Sequence, residues 1–194
     1  MIGKTILHYK ILETLGEGGM GVVYKAADTK LERTVALKVL SLTSIGDEEK
    51  KRFKREAKAA AALNHPNIAT IFAIDEVEGQ LFIAMEFIEG KSLHQIINPP
   101  LIPPRGGTKG GVDEGCPLPL DDAIDYATQI SGGLQVAHEK GITHRDIKSA
   151  NIMVTDKGVV KIMDFGLAKL ANRSKLTQLG TTLDTVAYMS PEQA

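Results

Sequence analysis

Two short runs in the second half of this chain contain side chains whose types and spacing could do chemistry. The run HRDIKSAN begins at His144, and the triplet DFG begins at Asp164, 18 positions after Asp146. Asp146 is a carboxylate that can accept a proton from a hydroxyl, and Lys148 places a cation two residues further along. Asn151 and Asp164 offer hard oxygen atoms of the kind that bind Mg²⁺. Together these residue types predict phosphoryl transfer from a nucleotide to an alcohol.

A glycine-rich run near the start of the chain is a candidate for phosphate binding. Its residues are Gly16, Glu17, Gly18, Gly19, Met20 and Gly21. The spacing GxGxxG also occurs in dinucleotide-binding turns, which require a helix to begin directly after the glycines. Here the next residues, VVYKA from Val22 to Ala26, are β-branched and aromatic and predict a strand. The pattern therefore indicates a hairpin whose backbone amides can face phosphate oxygens.

A single lysine interrupts the apolar run TVALKVL that ends at Leu40. Because Lys38 would be buried in this strand, it needs an anion, either a nucleotide phosphate or a carboxylate on the next helix. That helix is predicted from Glu48 to about Leu63, and Glu56 lies on its apolar side. The alternative is that Glu56 is one more charge on a solvated helix face, as the surrounding KKRFKREAK suggests. The apolar residues at helical spacing are Phe53, Ala57, Ala60 and Ala61.

The pattern of elements changes along the chain. Up to Phe87 it predicts three strands, a helix and two strands, which is a small antiparallel sheet with one helix. Beyond it, an amphipathic helix is predicted from Asp121 to Lys140, closed by Gly141. Residues 98–117, rich in Pro and Gly and without periodicity, are expected to be a mobile insertion. The apolar stripe of the long helix is Leu120, Ile124, Ala127, Ile130, Leu134 and Ala137.

Composition favours an ordinary globular protein. The 194 residues are 43% hydrophobic and 24% charged, with a net charge of −1 and no basic stripe, so no nucleic-acid partner is expected. No signal peptide or apolar run of about 18 residues is present, so no membrane segment is expected within this chain. The single cysteine, Cys116, leaves no intrachain disulfide or zinc cluster and is typical of a reducing compartment. We therefore expect a cytoplasmic chain, with any membrane anchor lying beyond residue 194.

In this order, the motifs resemble the protein kinase family, and specifically the serine/threonine kinases that bacteria carry. The resemblance extends from about Tyr9 to Ala194, and it implies an α+β, two-lobed protein-kinase-like fold. Residues 9–89 would form a nucleotide-binding lobe with a small antiparallel sheet and one helix, and residues 90–194 a mainly helical lobe. The family continues with further helices after the motif that begins at Ser190. The resemblance therefore implies a partial kinase domain, truncated after that motif, whose second lobe is incomplete.

The resemblance also implies a nucleotide site. Lys38 would be held by Glu56 and would contact the ATP phosphates, below the glycine-rich run. Met85 would lie behind the adenine pocket, while the Glu86 carbonyl and the Ile88 amide would meet the adenine edge. Other residues that would line this site are Leu15, Val22, Val23, Ala36 and Met153.

The resemblance implies that Asp146 orients the hydroxyl of the substrate and accepts its proton during catalysis. Lys148 would neutralise the transferred phosphate, and a lysine at this position is typical of the serine/threonine branch. Asn151 and Asp164 would hold Mg²⁺, or Mn²⁺ in its place. His144 would be structural, packed beneath Phe165, because the neighbouring carboxylate already supplies the base.

Arg145, directly before Asp146, indicates regulation by phosphorylation, since a guanidinium binds a phosphothreonine with paired hydrogen bonds. Its candidate partners in the following segment are Thr177, Thr181 and Thr182, whereas Thr185 matches a threonine of the substrate-binding loop.

The expected function is ATP-dependent phosphorylation of Ser and Thr in proteins. The alternative is a truncated, catalytically incompetent nucleotide-binding or interaction module.

Overall fold

The computed structural model describes residues 1–18, 21–41, 46–99 and 118–165. These residues form two β-sheets and three α-helices. The predicted α+β class is confirmed, with the larger sheet in the first half of the chain. Among the described residues, no helix combines the length and apolar character that crossing a bilayer requires.

The larger sheet has six strands, and each strand is antiparallel to its neighbours. Their order is β1-β2-β3-β4-β6-β5, so the short first strand is added to the five that the sequence predicts. The strands are β1 (Thr5–Ile6), β2 (Tyr9–Gly18), β3 (Gly21–Asp28), β4 (Arg33–Ser41), β5 (Ile71–Val77) and β6 (Gln80–Glu86). β6 ends at Glu86, whose backbone amide donates to the carbonyl of Thr70.

β4 is buried on both faces, which explains its nearly continuous apolar sequence. Val35, Leu37 and Val39 point into one core cluster, while Ala36 and Leu40 point into a second. Helix α1 (Asp47–Ala61) covers the second face. It does so with the buried residues Phe53 and Ala57, one turn apart, whereas the buried Ala60 packs into a third cluster described below.

The smaller sheet consists of β7 (Gly90–Ser92), β8 (Ile152–Thr155) and β9 (Val160–Ile162). Helix α2 (Leu93–Ile97) follows β7 directly. Ser92 and Gln95 form a reciprocal capping box at its start, which satisfies backbone donors that the first turn leaves unpaired.

Helix α3 (Leu120–Glu139) is within one residue of its prediction at both ends, and Gly141 after it adopts φ +70°. The predicted apolar stripe is only partly buried, however, because Leu120 is 73% exposed and Ile124 56% exposed. The C-terminal half of the helix is the part that packs, through Gly133 and Ala137.

A third core cluster joins the two sheets. Leu63 and Ile68, which follow α1, pack with Ile152 and Ile162 of the smaller sheet and with Phe165. Burial of these side chains therefore places the segment after β9 close to the end of α1.

Candidate active site

The described residues of the glycine-rich run lie at the end of β2 and the start of β3, which pair as an antiparallel hairpin. Gly18 pairs with Gly21, so a strand, not a helix, follows the glycines, as predicted. Gly21 has φ +133°, and a Cβ on it would lie 2.0 Å from the carbonyl oxygen of Val39 on β4. Only glycine fits this approach of two strands. Gly16 and Glu17 lie in β2, and Leu15 beside them is exposed.

Lys38 forms an ion pair with the aspartate of the DFG triplet. Its ammonium is 2.8 Å from Asp164 Oδ1, and the lysine is only 5% exposed. The buried cation therefore has the anion that the sequence required, but the anion comes from the segment after β9. Asp164 itself has φ +61°, a left-handed backbone conformation that is uncommon outside glycine and costs free energy.

Glu56 forms an ion pair with Arg145, and its pairing with Lys38, which the resemblance implies, stays a prediction. Its Oε1 lies 3.6 Å from Nη1 of Arg145, which also has a left-handed backbone with φ +69°. The Glu56 side chain is only 21% exposed, which favours the partnered reading over a solvated helix face. The buried ammonium of Lys38 thus meets the carboxylate of Asp164, while the guanidinium of Arg145 lies beside Glu56.

Asp146 is the centre of a small polar group. Lys148 Nζ is 3.1 Å from its Oδ2, and the amide nitrogen of Asn151 donates to the same oxygen over 3.0 Å. That nitrogen also donates to the Asp146 carbonyl over 2.8 Å. A short 3-10 helix, Ser149–Asn151, turns the chain back and so brings Asn151 over Asp146. The structure thus brings together three of the residues that the sequence singled out.

The backbone links this group to Asp164. The amide of Met163, the residue before Asp164, donates to the carbonyl of Asn151 over 2.9 Å. The two oxygen-bearing residues proposed for a metal are therefore on adjacent, hydrogen-bonded segments.

His144 has the structural role expected of it. Its Nε2 is 2.7 Å from the carbonyl of Met163, its Nδ1 accepts from the Asp146 amide over 3.2 Å, and its ring meets Phe165 edge to face at 4.6 Å. The amide can only donate, so Nδ1 carries no proton and Nε2 donates to the carbonyl. Burial lowers the pKa of His144, although the Met163 carbonyl and the nearby Asp164 and Asp146 act in the opposite direction. The imidazole is therefore neutral, and both of its nitrogens are used in hydrogen bonds.

Three of the apolar residues expected around a nucleotide base lie close together. Met85 on β6 is directly opposite Ala36 on β4, both are buried, and Val23 packs against the same cluster. Met153 lies half-buried on β8 of the smaller sheet. Val22 and Ile88 are also partly buried.

Glu86 has a contact that the sequence reading missed. Its two carboxylate oxygens lie 2.8 and 3.0 Å from Nζ of Lys161 on β9, and one of them also accepts from the Thr70 amide. The signal in the sequence was the lone cation in the apolar run VVKIM, which needs an anion for the same reason as Lys38 does. Glu86 therefore connects the end of β6 to the smaller sheet.

Several predicted positions lie outside the described residues. They are Gly19, Met20, residues 100–117 of the insertion, Thr177, Thr181, Thr182 and Thr185.

The chain matches proteins of one family throughout its length. The sequence profile of the protein kinase domain matches residues 9–194. The probable serine/threonine-protein kinase PknB of Lactococcus lactis is 42% identical across the whole chain, and the serine/threonine-protein kinase PrkC of Bacillus subtilis is 38% identical. The chain spans 29% and 28% of the lengths of these two relatives.

Solved structures agree with the sequence matches. The crystal structure of the Mycobacterium tuberculosis PknI kinase domain superposes with a TM-score of 0.70 at 32% identity. The superposition covers 87% of this chain and 62% of that kinase domain. With the Asp146 group and the Lys38–Asp164 pair in place, the fold and sequence agree, and the chain belongs to the protein kinase domain family.

Proposed function

We propose that the protein transfers the γ-phosphate of ATP to Ser and Thr hydroxyls of other proteins, in the cytoplasm where ATP is available. Membership of the family implies ATP and a divalent cation. The single observation that carries the proposal is the grouping of Asp146, Lys148 and Asn151, backbone-linked to the Asp164 that Lys38 contacts. Charge cancellation and positioning are what phosphoryl transfer requires.

Asn151 and Asp164 are the residues that would hold the cation, and we propose Mg²⁺. Because the amide nitrogen of Asn151 is used in hydrogen bonds with Asp146, its amide oxygen is the atom it can offer. A neutral oxygen and a carboxylate are a donor set that fits Mg²⁺, with Mn²⁺ as a substitute. When bound, such a cation would neutralise charge on the phosphate oxygens.

The protein's own residues would do the remaining work. Asp146, held by Asn151 and Lys148, would orient the incoming hydroxyl and accept its proton. Lys148, already 3.1 Å from that carboxylate, would provide positive charge beside the transferred group. Lys38 would contact the phosphates beneath the glycine-rich hairpin, while Met85, Ala36, Val23 and Met153 would enclose the base.

Regulation by phosphorylation is part of the proposal. Arg145 has one anionic partner in Glu56, and a phosphate on Thr181 or Thr182, with Thr177 in reserve, would compete for the same guanidinium. Release of Glu56 would leave it able to pair with Lys38. Mass spectrometry after incubation with ATP should detect this phosphate. Replacing both Thr181 and Thr182 by alanine should lower activity, and full activity without any phosphate in this segment would contradict the idea.

The function is tested with radiolabelled ATP and a generic Ser/Thr protein substrate, using the full-length protein. Lys38→Met, Asp146→Asn and Asp164→Asn should each reduce turnover by about 10²-fold or more, since each removes a preorganised charge. Asp122→Asn, on the exposed first turn of α3, is the matched control and should retain wild-type turnover.

Two results would contradict the proposal. One is an active wild-type protein in which the Lys38 or Asp164 variant keeps more than about a tenth of the activity. The other is a folded wild-type protein that binds ATP without any transfer, which would favour a non-catalytic nucleotide-binding module.

A further inference from the structure

Gln129, in the middle of α3, uses the full hydrogen-bonding capacity of its side chain. Its Oε1 accepts from Asn67 Nδ2 and from the Val160 amide, both over 2.8 Å. Its Nε2 donates to Asp125 Oδ2 over 2.8 Å and to the Gly158 carbonyl over 3.0 Å. An amide with all four sites occupied is strongly fixed in position.

These bonds complete one edge of β9. One edge of this strand pairs with β8, so the backbone groups of Val160 and Ile162 on the other edge need partners from elsewhere. Ile162 finds them in a loop, since its amide donates to Asn67 O and its carbonyl accepts from the Ala69 amide. Val160 finds them in side chains, since its amide donates to Gln129 and its carbonyl accepts from Asn67 Nδ2 over 2.9 Å.

The backbone of α3 lies against the same place. A Cβ on Gly133, one turn after Gln129, would be 2.9 Å from Ile162 Cδ1 and 3.4 Å from Asn67 O. The absence of a side chain there lets α3 approach β9 closely. The helix, the loop after α1 and the strand therefore meet at one polar junction with little room to shift.

β9 leads directly into Asp164. Ile162 is two residues before it, and Met163 between them is held by the Asn151 carbonyl through its amide and by His144 Nε2 through its carbonyl. A shift of β9 along its edge would therefore move the Asp164 carboxylate relative to Lys38 and Asn151.

We infer that Gln129 is a positioning residue for Asp164. Its Oε1 accepts from Asn67, in the loop after α1, and from Val160, on β9, and so fixes the position of that loop relative to β9. The position of β9 in turn sets where Asp164 lies. The four side-chain partners of Gln129 all lie outside the group of residues proposed for catalysis. It rests on the proposed function, because Asp164 is taken there as a cation ligand.

The first test measures amide hydrogen exchange at Val160 and Ile162 in the folded wild-type protein and in Gln129→Leu. Removal of the acceptor should speed exchange at Val160 by at least about tenfold. Gln135→Leu is the control, because Gln135 lies on the same helix and, within the described part of the chain, its side chain bonds only to the exposed Glu139, over 2.9 Å. Equal exchange in the two variants would overturn the inference.

The second test measures how Mg²⁺ concentration affects ATP affinity and turnover in the full-length protein. Gln129→Leu should require more Mg²⁺ and lose about tenfold to a hundredfold in kcat while the peptide KM changes little, since displacement of a metal ligand affects the transfer step. Unchanged Mg²⁺ dependence together with unchanged kcat would show that Gln129 only supports the fold, and would overturn the inference.

A conservative variant keeps the inference falsifiable if Gln129→Leu does not fold. Gln129→Glu, made together with Asp125→Asn so that two carboxylates do not meet, retains the acceptor for Asn67 and Val160 but loses the donor to Gly158, so Val160 protection and kcat should both stay closer to wild type. If the glutamate variant folds with the rapid exchange and lost turnover described for leucine, the acceptor role is wrong. Failure of the wild-type protein to bind ATP with Mg²⁺ would instead contradict the proposed function, and the exchange data would then decide alone whether Gln129 fixes the strand.

Discussion

Lys38 and Arg145 each form an ion pair in this protein. Each cation is near a carboxylate that comes from a distant part of the chain, Asp164 in one pair and Glu56 in the other. The Lys38 pair is the more constrained, because its ammonium is buried while the Arg145 side chain is partly exposed. Pairing in a buried environment carries a larger penalty for loss of a partner than pairing near solvent.

At the same scale, His144 should make stability depend on pH. Burial lowers the pKa of this imidazole in the folded protein, whereas the unfolded imidazole has a pKa of about 6.5. The unfolded state therefore takes up the proton first, so the stability contribution is present above about pH 6.5 and falls as the pH is lowered towards the folded pKa. The free energy of unfolding, measured by urea denaturation, should decrease by up to about 1.4 kcal/mol per pH unit in that window.

His144→Phe isolates this effect from the other histidines. The variant loses the bonds to Met163 and Asp146 and should be less stable at neutral pH, but the difference from wild type should narrow as the pH falls. Parallel pH profiles for the two proteins would show that His144 does not titrate on unfolding in this range.

At the scale of elements, the β2–β3 hairpin is held against β4 by a backbone approach at Gly21. Gly21 approaches the Val39 carbonyl so closely that a Cβ there would overlap it. The strand pairing that follows is regular from Val22 to Asp28. The start of β3 therefore depends on a residue without a side chain at position 21.

Gly21→Ala should destabilise the protein by about 1 to 3 kcal/mol, because alanine resists φ +133° and its Cβ would clash with the Val39 carbonyl. Thermal unfolding measures this loss. Gly16→Ala is the control within the same hairpin, since no atom lies within 4 Å of where its Cβ would be. Similar melting temperatures for both variants would mean that the hairpin adapts at little cost.

At the scale of the whole molecule, the two sheets are connected by polar and apolar contacts from both sides. The apolar part is the third core cluster, which brings Ile68 against Ile162. The polar link between the sheets is Glu86 with Lys161, and Lys140, whose ammonium donates to the Ala62 carbonyl over 3.0 Å, links the ends of α3 and α1. The proposed phosphoryl transfer uses residues from both sheets, so these links would hold the two halves of the proposed site together.

Lys161→Met tests the polar link. It should lower the free energy of unfolding by about 1 to 3 kcal/mol, because Glu86 is left partly buried without its cation. Lys51→Met is the matched control, since the Lys51 and Glu48 side chains are 73% and 88% exposed and such pairs contribute about 0.5 kcal/mol or less. Urea denaturation of both variants measures the free energy of unfolding. Equal small decreases in the two variants would show that Lys161 does not stabilise the link between the sheets.

Local sequence was sufficient to determine much of this protein. The hairpin after the glycine-rich run, α1, α3 and the buried β4 follow from periodicity and from turn residues, which act over a few positions. The residue types of Asp146, Lys148, Asn151 and Asp164 likewise indicate their chemistry without any coordinates. His144 could also be assigned a structural role, from the family resemblance, and its contacts confirm it.

Only the tertiary structure decided which charges meet. Lys38 needed an anion, but whether Glu56 or Asp164 supplies it depends on how a helix and a distant strand pack, and no local pattern encodes that distance. The same is true of Lys161 with Glu86, and of the four hydrogen bonds of Gln129, whose partners come from three separate segments. Periodicity reports which face of an element is buried, whereas the partner on that face is set by the packing of the whole chain.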